Sequence, residues 1–115
     1  MPISVLVKTL AEKKLTAYCS NRIPPHAAHQ VRLSYKFRGD TVTLFEHRAP
    51  WVKGVTEWSA MTIAQFRYSQ KTGQWTLYCA DRNDKWHIYS ELASSKDVDS
   101  LLKEIDRDPT GIFWG

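Results

Sequence analysis

Val31-Arg32-Leu33-Ser34-Tyr35-Lys36-Phe37-Arg38-Gly39-Asp40-Thr41-Val42-Thr43-Leu44-Phe45-Glu46-His47-Arg48 reads as a β-hairpin. Val31, Leu33, Tyr35 and Phe37 alternate with Arg32, Ser34, Lys36 and Arg38, the two-residue period of a strand with one apolar and one polar face. Gly39-Asp40 supplies a two-residue turn in which glycine takes the positive φ, and Thr41 to Arg48 return as the partner strand. That turn pairs Phe37 with Val42, Tyr35 with Leu44 and Leu33 with Glu46. Glu46 then lies at the rim of the apolar face, beside Arg48, while Arg32, Lys36 and Arg38 stand opposite Thr43, Phe45 and His47.

Working outward, Thr62 to Ser69, Gln74 to Ala80 and Lys85 to Ser90 carry the same alternation, separated by Lys71-Thr72-Gly73 and Asp81-Arg82-Asn83-Asp84. Ala64, Phe66 and Tyr68, then Trp75, Leu77 and Cys79, then Trp86 and Ile88 are expected to point one way, with Arg67, Tyr78, His87 and Tyr89 on the other face. Upstream, Pro2 suits a first helical turn, and Ile3, Leu6, Val7, Leu10, Ala11, Leu15 and Tyr18 recur at helical spacing until Ile23-Pro24-Pro25 stops the helix near Asn21. Downstream, Ser94 to Asp97 resemble a capping box ahead of Val98, Leu101, Leu102 and Ile105, with Pro109 and Gly111 as the stop. The apolar ending Ile112-Phe113-Trp114 is expected to dock on the sheet. The expected fold is α+β: one five-stranded antiparallel meander with an N-terminal and a C-terminal helix packed on one face, residues 1–115 forming a single domain.

Composition agrees with a folded chain of 115 residues, with 43% hydrophobic and 24% charged side chains. No apolar stretch approaches the roughly 20 residues that cross a bilayer, and the start lacks the pattern of a secretory signal, so a cytoplasmic location without membrane contact is expected. Cys19 and Cys79 form no close pair and read as buried thiols rather than a disulfide framework. Charge is uneven. Met1 to Ser90 carry 13 Lys+Arg against 6 Asp+Glu, and Glu91 to Gly115 carry 3 against 6. A basic body with an acidic ending is compatible with a polyanionic partner, nucleic acid or an acidic protein surface.

Candidate chemistry is sparse. His26 and His29 with Cys19 are the only cluster worth weighing as metal ligands, and no cysteine pair completes it, so neither metal nor cofactor is expected. No nucleophile elbow or phosphate loop is present, and Asp81 and Asp84 flank a turn, where aspartate bonds its own backbone. Glu46 and His47 are the pair around which a small enzyme would be built, although alternation sends them to opposite faces, and a Glu46–Arg48 or Glu46–Arg22 ion pair is the competing structural reading. The polar sheet face combines Arg32, Lys36, Arg38, Phe45, Arg67, Tyr78, His87 and Tyr89, the interleaving of cations and rings that single-stranded nucleic acid requires. Trp51 and Trp58, in the connection from Ala49 to Trp58, are the alternative contact with a protein partner. The reading reached is a non-enzymatic binding module with no catalytic residues, using its basic, aromatic sheet face.

Several landmarks share an order and spacing. They are Arg22-Ile23-Pro24-Pro25-His26, Val31-Arg32-Leu33-Ser34-Tyr35, Leu44-Phe45-Glu46-His47-Arg48-Ala49-Pro50-Trp51, Trp58, Trp75-Thr76-Leu77-Tyr78, Lys85-Trp86-His87-Ile88-Tyr89 and Asp106-Arg107-Asp108-Pro109-Thr110-Gly111-Ile112-Phe113-Trp114-Gly115. In these the chain resembles a bacterial family known as domain of unknown function 3024. The resemblance covers nearly the whole chain and implies a bacterial origin. It agrees with the fold expected above and supplies no catalytic residues.

Overall fold

The computed structural model describes residues 4–50, 53–90, 92, 94–109 and 111–114. Pro2, Ile3 and Trp51, which entered the sequence reading, lie outside them. Helix α1 spans Val5–Arg22 and helix α2 Val98–Arg107, with strands β1 Val31–Arg38, β2 Thr41–Arg48, β3 Ser59–Ser69, β4 Gln74–Ala80 and β5 Trp86–Ile88 between them. The strands lie in the order β1-β2-β3-β4-β5, each antiparallel to its neighbour, so the sheet is the expected meander. Gly39 takes φ 62° at the first central position of the β1–β2 turn, as a type II′ turn requires, and the register pairs Phe37 with Val42, Tyr35 with Leu44 and Leu33 with Glu46.

Both helices cover one face. Ala11 and Leu15 of α1 and Val98, Leu101, Leu102 and Ile105 of α2 close a buried cluster with Val42, Leu44, Ala64, Phe66, Trp75, Leu77 and Cys79. α1 packs only one of its apolar stripes, Val7, Ala11, Leu15 and Tyr18. Leu6 and Leu10, a third of a turn away, remain 70% and 53% exposed. Ser4 caps α1 by accepting from the Val7 amide. α2 begins later than its sequence suggests. Ser95 exchanges two backbone hydrogen bonds with Trp75 and so extends the edge of β4, which leaves Asp97 as the cap, accepting from the Asp99 amide. Asp97 also receives Lys14 Nζ at 2.6 Å and ties the two helices together. The lysine and the capping bond hold its carboxyl below the usual 3.8, so this contribution to stability is complete above that value and is lost as acidification protonates the folded-state carboxylate.

Two local departures reshape the faces. A β-bulge at Ile63 lets Leu44 pair with Ala64 and Phe45 with Thr62, and β3 starts at Ser59 rather than Thr62. In the β4–β5 turn, Asp81 Oδ1 accepts from the amides of both Asn83 and Lys85, while Asp84 adopts φ 60°. The turn therefore consumes Lys85, and β5 pairs one residue out of the expected register: Ala80 with Trp86, Cys79 with His87 and Tyr78 with Ile88. A one-residue slip exchanges the faces of every side chain on a strand. Trp86 and Ile88 thus lie on the open side of the sheet, and His87 and Tyr89 on the helix side.

The chain end docks on α2 and Tyr89 rather than spreading over the sheet. Asp108, at φ 41°, caps α2, and its carboxylate accepts from the amides of Phe113 and Trp114. Phe113 is buried with its ring 5.1 Å from that of Tyr89, and the Trp114 indole donates to the Ile105 carbonyl.

Candidate functional site

Polarity in the sheet is sorted by face. Glu46 is the one carboxylate in the five strands, and it lies on the helix side, 7% exposed, with Arg48 Nε 2.8 Å away. Removing water from a carboxylate is costly unless a cation and a hydrogen bond replace it, and Arg48 supplies both. The open side carries Arg32, Lys36, Arg38 and Arg67, and no carboxylate comes from any strand.

The same side gathers rings. Phe45 and His47 stand at neighbouring open-face positions of β2 with centroids 6.3 Å apart, and His47 Nε2 shares a 2.7 Å hydrogen bond with Ser34 Oγ on β1. Trp58 lies beneath Arg32, whose Cζ is 4.2 Å from the indole centroid, and Tyr78 lies beneath Arg67, whose Cζ is 3.9 Å from the phenol centroid. Arg67 is also fixed laterally: its Nε donates to Gln65 Oε1 at 2.7 Å, and Gln65 Nε2 donates to Thr43 Oγ1 at 3.2 Å. Trp86 and Ile88 complete the far edge beside Ala80 and Tyr78.

Of the eight residues singled out from the sequence for nucleic acid, six share this face: Arg32, Lys36, Arg38, Phe45, Arg67 and Tyr78. The other two do not. Tyr89 is 4% exposed and donates from its hydroxyl to Glu104 Oε2 on α2. His87 is exposed but stands at a helix-side position of β5, its Nε2 2.7 Å from Asp81 Oδ2. Their displacement follows from the Asp81 turn, and the same slip adds Trp86, which alternation from Lys85 had assigned to the core. The loop residue Trp58 joins the face through its contact with Arg32.

Elsewhere the titratable groups are paired or separated. Glu46 and His47 point to opposite sides of β2 and share no site. A cavity of about 700 Å³ runs between α1 and α2 along Leu10, Ala17 and Leu102. Several of its polar groups are paired: Lys14 binds Asp99 and the neighbouring Asp97, and Tyr18 and Arg22 both bind Asp106 Oδ1. Burial, with the Asp106 hydrogen bond second, pushes the Tyr18 phenol well above its usual value. Cys19 is half-buried and Cys79 buried, both are free thiols, and desolvation pushes Cys19 up to about 11 and raises Cys79. Neither is activated as a thiolate. His26 lies in a single 3₁₀ turn, Pro25–Ala27, and is exposed, as is His29; among the described residues no three His, Cys, Asp or Glu side chains converge as metal ligands.

The sequence that builds this meander and its two end helices matches a known family model over residues 3–115, one described as Domain of unknown function (DUF3024). The chain belongs to that family. No curated protein and no solved structure matches it. Within this DUF3024 chain no described helix is long and apolar enough to cross a membrane.

Proposed function

We propose that the chain is a non-enzymatic binding module, one domain acting in the bacterial cytoplasm, that holds single-stranded nucleic acid on the open face of its sheet. The sorting of charge carries this reading. Four cations occupy a face on which the strands place no carboxylate, and rings from Phe45, His47, Trp58, Tyr78 and Trp86 lie among them. Phosphates are met by lysine and arginine, and unpaired bases by flat apolar or delocalised surfaces. An acidic protein surface would use the same cations; the rings interleaved with them on the sheet favour unpaired bases as the occupant.

Binding of a fluorescently labelled oligothymidylate, followed by anisotropy, tests the reading. Binding is expected at about 50 mM salt and should weaken roughly 50-fold towards about 200 mM, because each neutralised phosphate releases condensed counterions and four cations contribute about 0.7 each to the log–log slope. Failure to bind any oligonucleotide at low salt would overturn it. So would binding insensitive to salt.

A further inference from the structure

The two best-placed rings of the open face are not bare. A guanidinium lies in van der Waals contact over each, Arg32 over Trp58 at 4.2 Å and Arg67 over Tyr78 at 3.9 Å. A base cannot reach the covered side of either ring. Arg32 is exposed and Arg67 half-buried, which leaves each pair the second side of a flat, delocalised cation to offer. For Arg67 this plane is held in place, since Nε is committed to Gln65, itself 9% exposed and bonded to Thr43. Its terminal amino groups have no hydrogen-bond partner among the described residues, and the same is true of all the guanidinium donors of Arg32.

Guanidinium planes stack on bases as aromatic rings do, while their in-plane N–H groups bond phosphate oxygens at the edge. We propose that Arg32 and Arg67 are the base-stacking residues of this face, each completing a ring–guanidinium–base sandwich over Trp58 and Tyr78 respectively. Trp58 and Tyr78 act as positioning residues that orient the cation from below. The proposal rests on the single-stranded nucleic acid reading and specifies which atoms the bases meet. The two stacks mark the ends of a diagonal track. Arg32 neighbours His47 at one end of β2, Arg67 neighbours Thr41 at the other, and six residue steps of roughly 3.3 Å separate them, with Phe45 between.

Lysine keeps the charge of arginine without its plane, which separates stacking from charge. The test compares the native chain with the R32K/R67K variant on two labelled 12-mers of equal phosphate count, oligothymidylate and a fully abasic strand. The native chain should prefer oligothymidylate. The variant should bind the abasic strand as the native chain does, with the same salt slope, and should lose affinity for oligothymidylate on the order of tenfold per lost stack. Equal melting temperatures establish that both proteins are folded. If R32K/R67K retains the full preference for oligothymidylate, the arginines act as point charges and the proposal fails while the nucleic acid reading stands. If the native chain binds both strands equally, bases are not stacked and the proposal also fails. If it binds neither, the underlying reading fails and takes this one with it.

Discussion

Removing residues 112–115 lowers the unfolding free energy by about 3–5 kcal/mol, the range for deleting a buried aromatic side chain, and lowers the melting temperature by roughly 10 °C or more. Phe113 is the main loss. It is 6% exposed, and its absence uncovers the Tyr89 ring above the buried Tyr89–Glu104 hydrogen bond. Trp114 adds the bond from its indole to the Ile105 carbonyl and the Arg22 guanidinium 4.9 Å from its ring. The Asp108 carboxylate loses both amides it accepts from. Thermal and urea unfolding of the truncated chain beside Phe113→Ala measure the effect. The single substitution should account for most of it, and an unchanged melting temperature in the truncated chain would contradict the placement of this segment.

The second large effect is on binding. Replacing Arg32, Lys36 and Arg38 together by glutamine should flatten the salt dependence of oligonucleotide binding by about 2 in the log–log slope, at roughly 0.7 per phosphate contact on a single strand. Affinity at low salt should fall with it. The control removes the same charge from the helix side, through K13Q/K96Q/K103Q, and should leave the slope near its native value. All three control lysines are exposed, so neither variant disturbs the core. If the two triple variants lose binding equally, net charge rather than the face is responsible.

The hairpin from Val31 to Arg48 was legible because three independent signals agree there: period-two alternation, a glycine at the turn position that needs positive φ, and the charges of the first strand, Arg32, Lys36 and Arg38, all on one side. The face reading failed at β5 because a three-residue strand has too little alternation to define its own register. The turn defines it, and the Asp81 carboxylate recruits the Lys85 amide by a side-chain bond that alternation does not encode. The bulge at Ile63 was equally hidden, since Thr62-Ile63-Ala64 fits either parity. On α1, apolar residues occupy more of the circumference than one sheet can cover, so helical spacing identified the helix without selecting its buried stripe. The candidate site was readable as a set of residue types on one face. That Trp58 and Tyr78 would each be roofed by an arginine was not, because the Arg32–Trp58 contact joins a strand to a loop residue 26 positions away and the Arg67–Tyr78 contact depends on the β3–β4 register.

The central claim is that nucleic acid occupies the open face of the sheet, and backbone amide chemical shifts recorded during titration with oligothymidylate at low salt test it most directly. The account predicts progressive shifts along β1 to β4 and at Trp58, together with the indole signals of Trp58 and Trp86, while α1 and α2 remain unmoved. Shifts concentrated instead on Leu10, Ala17 and Leu102, in the cleft between the helices, would contradict it.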